Sequence, residues 1–281
     1  MNNVISGGKI VIEEKLVELV EDVIRAAGRV VKKIYSHDIS MVEKVDGSPL
    51  TQADLASHHI IVEGLASLGL SIPIVSEEDC TCSSLSLSEG CFWLVDPLDG
   101  TKEFIHKNGQ FTLNIALIVD GEPVLGVVYV PALSLGYSGL VGSSARKWRD
   151  DGYSEEIHVS YNHLGSVWRA VVSRSHAQSE VSFLSYLESY TAEPMGSSLK
   201  ICAIAEGSAD IYPRLGHTSE WDIAAAHAVL RAAGGFLIRL DTREELTYGR
   251  QDENFLNPSF VAYGDPAVRP PLEHDQNCLD L

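Results

Sequence analysis

Apolar residues return at helical spacing through residues 11–34, where Val17, Val20, Val23, Ile24, Ala27, Val30, Val31 and Ile34 would share one face. A long amphipathic helix is expected there. A second helix is expected over residues 51–68, with Thr51 as a cap candidate and Asp54 in the first turn, where a carboxylate complements the helix dipole. The period then changes. Residues 72–75 and 91–95 are short apolar runs rich in β-branched and aromatic side chains, which reads as buried strands. Strand-like runs at 111–119, 124–130 and 135–141, separated by glycine-containing turns, predict an antiparallel meander. Further on the pattern alternates: strand 170–173, helices 180–189 and 199–206, strand 209–212, helix 222–233 and strand 235–238. An α+β portion over residues 1–160 is thus expected to meet an α/β portion over 161–264. Residues 265–281 carry Pro, charge and little periodicity, and read as a mobile tail.

The run at 91–95 delivers Asp96-Pro97-Leu98-Asp99-Gly100-Thr101, two carboxylates three residues apart on a turn that Pro and Gly force out of regular structure. The C-terminal end of a strand is where α/β folds place their sites. Two acids so close require a cation, while Gly100-Thr101 reads as the start of a helical turn whose free N–H groups favour an anion. A solvated turn explains the same hexamer without any function, because Asp, Pro and Gly are the commonest turn formers. Two other acidic ends shift the balance. Ser76-Glu77-Glu78-Asp79 closes the strand at 72–75, and Asp222 falls at the start of an Ala-rich helix. If these ends converge, their mutual repulsion is relieved by hard divalent cations with oxygen ligands.

Length and composition, 281 residues and 45% hydrophobic, suffice for a large core. No apolar run approaches a membrane span, and the start Met1-Asn2-Asn3-Val4 lacks the basic and apolar regions of a signal peptide, so a cytoplasmic enzyme is expected. The five cysteines are an odd number without CxxC pairs, which suits reduced thiols. A formal charge of −18 argues against a nucleic-acid polymer as partner. An anionic small molecule would need a locally positive pocket.

The signature at 96–101, the Glu77-Glu78 pair before it, and Trp221-Asp222-Ile223-Ala224-Ala225-Ala226 followed by Ala233-Gly234-Gly235 resemble the inositol monophosphatase superfamily of magnesium-dependent, lithium-sensitive phosphatases. Within it, Gly47-Ser48-Pro49-Leu50-Thr51-Gln52-Ala53-Asp54, Lys102-Glu103-Phe104-Ile105, Ser197-Ser198-Leu199-Lys200, Ala205-Glu206-Gly207, Tyr212-Pro213-Arg214 and Asn254-Phe255-Leu256-Asn257-Pro258 resemble the CysQ-type 3'(2'),5'-bisphosphate nucleotidases. The resemblance runs from about residue 10 to residue 264. It implies a layered αβαβα sandwich of the inositol monophosphatase and fructose-1,6-bisphosphatase type.

It also implies a site. Glu77, Asp96, the Leu98 carbonyl, Asp99 and Asp222 would ligate Mg²⁺, two or three ions per site, of which one activates water and another stabilises the leaving oxygen. Thr101 and Asp54 would orient that water and take its proton, although a helix cap and a first-turn acid explain the two residues equally well. Glu77, Leu98, Asp99, Gly100, Thr101, Ser173, His176, Ser197, Ser198, Lys200, Arg214 and Asp222 would contact a bisphosphorylated nucleotide. The implied reaction is hydrolysis of adenosine 3',5'-bisphosphate to AMP and phosphate, with the 5'-phosphosulfate analogue as a second candidate, in the clearance of a by-product of sulfate activation. An inositol or sugar monophosphatase with the same metal chemistry is the alternative, and a non-catalytic metal-sensing protein is a second one. The intact set Asp54, Glu77, Asp96, Asp99, Thr101 and Asp222 disfavours the latter. A homodimer stays open. Peripheral association with the bacterial inner membrane also stays open, but no segment resembles a basic amphipathic anchor.

Overall fold

The computed structural model describes residues 5–6, 9–10, 12–37, 41–43, 49–79, 90–161, 167–174, 177–250 and 254–266. The expected tail from residue 267, His176, and the Ser-rich segment 80–89 with Cys80 and Cys82 lie outside the described residues. Strands β1 (Ile5–Ser6) and β2 (Lys9–Ile10) pair antiparallel ahead of helix α1 (Glu14–Tyr35). Strands β3 (Met41–Glu43) and β4 (Pro49–Thr51) do the same ahead of α2 (Gln52–Ser67). A seven-stranded sheet then follows in chain order: β5 (Ile74–Ser76), β6 (Cys91–Asp99), β7 (Thr112–Val119), β8 (Glu122–Val130), β9 (Leu135–Leu140), β10 (Ala145–Arg149) and β11 (Ser154–Glu156). Within this sheet, among the described residues, only β5 and β6 pair parallel. The short helix α3 (Thr101–Ile105) joins β6 to β7.

The second sheet has five strands, β12 (Trp168–Ser173), β13 (Tyr190–Met195), β14 (Ile211–Arg214), β15 (Phe236–Arg239) and β16 (Phe260–Tyr263), in spatial order 13-12-14-16-15. Helices α4 (Ala177–Phe183), α5 (Leu199–Ala205) and α6 (Glu220–Ala232) connect it.

Period-two alternation divides the cores. On β6, Trp93 and Val95 pack with Val20, Ile24 and Ile61 of α1 and α2, while Phe92 and Leu94 face a second core containing Ile201, Ala225 and Val229 of α5 and α6. The far side of α5 and α6 meets Leu237, Phe260 and Ala262 of the second sheet, and its outer face covers Phe183 and Leu184 at the end of α4. The layers are therefore helix, sheet, helix, sheet, helix, the αβαβα order that the resemblance implies. Both faces of the large sheet are covered, which explains why its central strands read as continuous apolar runs.

Helix α6 sits so close to β8 that a Cβ at Gly126 would overlap the Ala225 carbonyl. Gly126→Ala is expected to destabilise the protein by about 1–3 kcal/mol through overpacking. A thermal melt checks it, and an unchanged melting temperature would contradict this packing.

Three expectations shift. The chain does not turn at Asp96; β6 continues through Asp99, pairing Asp96 with Asn114 and Asp99 with Thr112, so three steps on β6 oppose two on β7. Pro97 has no N–H to give the ladder, and a bulge is where a strand tolerates it. The helix expected over 180–189 stops at Phe183, continues as a 3₁₀ turn at Leu184–Tyr186, and gives way to the edge strand β13. The strand expected over 209–212 begins two residues later, at Ile211. Among the described residues no helix is long and apolar enough to cross a membrane.

Candidate active site

The bulge in β6 presents the signature. Asp96 is buried, and its Oδ1 accepts the Leu98 N–H at 2.9 Å. Its Oδ2 is buried without a hydrogen-bond partner. The Ser57 hydroxyl of α2 donates to the Pro97 carbonyl at 2.7 Å and fixes the bulge from the helix side. Gly100 then takes a φ of 87°, a left-handed conformation suited to glycine, and the chain turns into α3 at Thr101.

Asp54 lies under this turn. It closes the capping box of α2, its Oδ2 accepting the Thr51 N–H at 2.8 Å and the Thr51 hydroxyl at 2.5 Å. Its Oδ1 lies 3.3 Å from the Thr101 hydroxyl, which also lies 3.4 Å from the Leu98 carbonyl. The capping role and the juxtaposition with Thr101 thus coexist in one carboxylate. Burial raises the Asp54 pKa, the Thr51 hydrogen bonds oppose that, and the charge of Glu77 adds to it.

The third acidic end arrives with α6, where Asp222 accepts the Ser219 N–H at 2.9 Å in a second capping box. The carboxylates then act on one another. Asp96 is held well above the ordinary carboxylate range by burial first, then by the charges of Glu77, Asp99 and Asp222. Asp222 is raised by burial, Asp99 and Glu77. Asp99 is raised by burial, although hydrogen bonds from Ser197 and Ser198 and the Lys200 charge work against it. Glu77 recurs in each case, so the structure brings the three acidic ends together.

Among the described residues no group of three or more His, Cys, Asp or Glu side chains is placed to hold a metal ion. An open oxygen-donor set suits Mg²⁺, which keeps waters and takes one or two carboxylates plus substrate oxygens rather than an all-protein cage. The orphaned Asp96 Oδ2 is the atom such an ion would satisfy. On these grounds the residues fit a hard divalent cation.

Beside the carboxylates opens a cavity of about 160 Å³, to which Asp99, Gly100, Ser173, Ser197, Ser198, Lys200, Arg214 and Asp222 all contribute, together with Glu103 and Tyr212. Lys200 is nearly buried, its ammonium donating to the Ser197 carbonyl at 2.7 Å and lying 5.2 Å from the Tyr212 ring centre. Burial pushes its pKa down to about 8 against the pull of Asp99. Arg214 Nη1 donates to the Ser173 hydroxyl at 2.6 Å and lies 3.3 Å from the Glu180 carboxylate. Lys102 is exposed, and Glu77 and Glu78 are half-buried.

Ser197 and Ser198 hold Asp99: its Oδ2 accepts the Ser197 hydroxyl at 2.6 Å and the Ser198 N–H at 2.8 Å. Periodicity does not single out Ser57, Thr112, Asn114 or Glu180, whereas Thr51 takes the cap position expected of it. Thr112 and Asn114 were nonetheless visible as two polar residues inside an apolar strand, a pattern that a buried polar network explains.

A model of the inositol monophosphatase family matches residues 13–263. The chain belongs to the inositol monophosphatase family. Within the family, the 3'(2'),5'-bisphosphate nucleotidase CysQ of Escherichia coli strain K12 is 43% identical over 240 residues, 84% of this chain and 94% of that protein. The CysQ nucleotidase of Salmonella typhimurium is 42% identical over 249 residues, 87% of this chain and 98% of that protein. Among solved structures, CysQ from Bacteroides thetaiotaomicron, described as a bacterial member of the family, has a TM-score of 0.76 at 36% identity, covering 89% of this chain and 97% of that one. An inositol monophosphatase from Thermotoga maritima shares the fold, with a TM-score of 0.73 at 22% identity, over 94% and 95% of the two chains.

Proposed function

We propose that this member of the inositol monophosphatase family is a Mg²⁺-dependent 3'(2'),5'-bisphosphate nucleotidase that converts adenosine 3',5'-bisphosphate to AMP and phosphate in the cytoplasm. The observation that carries this reading is the junction of two unlike charge environments in one cavity. Asp99 and Asp222 line it together with the buried cations Lys200 and Arg214. A monophosphate has one anionic group to place, whereas a bisphosphate has two. The identity to CysQ nucleotidases along most of the chain supports the same choice.

In this reading Glu77, Asp96, the Leu98 carbonyl, Asp99 and Asp222 would hold two or three Mg²⁺ ions, whose chemistry is Lewis-acid activation of water and neutralisation of charge on phosphoryl oxygens. The Thr101 hydroxyl orients the attacking water over the 3'-phosphorus, and Asp54, within reach of that hydroxyl, takes the proton. Thr51 holds the other Asp54 oxygen, so the base cannot rotate away. Lys200 and Arg214 bind the unreacting 5'-phosphate and fix the nucleotide's register. Lithium is expected to inhibit, since it would occupy a metal position with too little charge.

Hydrogen bonds to charged groups contribute about 1.5–3 kcal/mol each, so Lys200→Ala is expected to lower kcat/KM for the bisphosphate by roughly ten- to a hundredfold. For 3'-AMP it should change little. A loss shared by all substrates would oppose the assignment of Lys200. Because the Lys200 ammonium deprotonates at about 8 in the free enzyme, KM for the bisphosphate should rise as pH passes that value. Lys200→Ala should abolish that rise, which a pH series of initial rates checks.

A further inference from the structure

Thr112 and Asn114 are completely buried on β7, beneath the turn that leads into α5. Buried polar side chains must find partners, and theirs lie in that turn and on Asp99. The Thr112 hydroxyl lies 2.7 Å from the Ser197 hydroxyl, 2.8 Å from the Ser198 hydroxyl and 3.3 Å from the Asn114 amide nitrogen.

Counting protons gives the network a direction. Ser197 spends its single hydroxyl proton on Asp99 Oδ2 at 2.6 Å, and Ser198 spends its own on the Asn114 carbonyl oxygen at 2.8 Å. Thr112 is then the donor on this side, its single proton shared between the Ser197 and Ser198 oxygens, while it accepts from Asn114. Without that donor, the two serine oxygens lose the proton they share.

The turn also needs holding. Ser197 has a φ of 59°, a left-handed conformation that costs a non-glycine residue of order 1 kcal/mol and persists where surrounding contacts impose it. Gln110 fixes the preceding residue, its side-chain oxygen accepting the Gly196 N–H at 2.9 Å. The Ser197 carbonyl in turn receives the Lys200 ammonium. One turn from the second half of the chain thus grips Asp99 of the first half, with Thr112 at its centre.

We infer that Thr112 is a positioning residue for Asp99: through Ser197 and Ser198 it fixes the carboxylate and thereby sets the affinity of the site for divalent metal. The inference rests on the proposed role of Asp99 as a ligand. It goes beyond that role by assigning the strength of metal binding to a hydroxyl that touches neither metal nor substrate.

The test is a titration with Mn²⁺, followed through the electron-paramagnetic-resonance signal of the free ion. Residues that orient metal ligands typically change metal affinity by about 10–100-fold when lost. Thr112→Val keeps the shape but removes the hydroxyl, and is expected to weaken Mn²⁺ by that factor, while Thr112→Ser stays near wild type. Ser197→Gly relieves the left-handed φ and should fold at least as well, yet it removes the bond to Asp99 and should also bind Mn²⁺ more weakly. A merely structural Thr112 would alter the melting temperature without this pattern. Wild-type affinity in Thr112→Val, or equal weakening in Thr112→Ser, would overturn the inference while leaving the proposed function standing. Absence of Mn²⁺ binding by the wild-type enzyme would overturn both.

Discussion

Asp99→Asn and Glu77→Gln are each expected to reduce turnover by roughly a thousandfold while leaving the protein folded. Divalent cations supply several kcal/mol of transition-state charge stabilisation, and each 1.36 kcal/mol is about tenfold in rate, so weakening the metal set costs orders of magnitude. The fold should survive because Asp99 sits where burial and the Glu77 charge already disfavour its ionised form. Because its pKa is raised, ionised Asp99 costs the native state stability, a cost greatest above the folded-state pKa and gone as pH falls below the unfolded value. Asn imitates the neutral form at every pH. In EDTA at neutral pH, Asp99→Asn is therefore expected to melt no lower than wild type. Phosphate release and thermal melts check both halves, and full activity of either variant would contradict the proposed metal chemistry.

Thr101→Ala and Asp54→Asn are expected to act mainly on kcat, each by roughly 10²-fold or more, the scale of general acid–base assistance. The 3.3 Å approach of the Thr101 hydroxyl to Asp54 Oδ1 makes them a unit. The double variant should consequently lose little beyond the worse single one, because residues acting together are strongly non-additive. Losses that multiply would indicate separate roles. Asp54 also closes the capping box of α2, so Asp54→Asn should cost some stability as well. A melting curve separates that cost from the chemical one.

Much of this arrangement was legible in the chain, for identifiable reasons. The helical stripe of α1 and the meander β7–β9 were readable because each buries one face or both against a neighbour, and burial is what periodicity reports. Asp54, Asp96, Asp99 and Asp222 stood out because acids at strand ends and helix starts are chemically conspicuous. Beyond the motif lay whatever depends on register. Strand β13 is mostly exposed and carries no alternation, and β16 joins its sheet only through antiparallel pairing with β14 and β15. Glu180 was invisible as a partner of Arg214, since 34 residues separate them and only the packing of α4 against β14 joins them. Ser197 and Ser198 were noticed as hydroxyls facing a nucleotide, but their bonds to Asp99 arise from how β6, β7 and α5 meet.

The most direct measurement is phosphate release by the wild-type enzyme in Mg²⁺ from adenosine 3',5'-bisphosphate, 3'-AMP and inositol 1-phosphate, each with and without EDTA. The expected result is the highest kcat/KM for the bisphosphate, because in the proposed reading only it engages both the carboxylates and the cations Lys200 and Arg214, and loss of all activity in EDTA. Equal or faster hydrolysis of inositol 1-phosphate, or turnover undiminished by the chelator, would contradict the account.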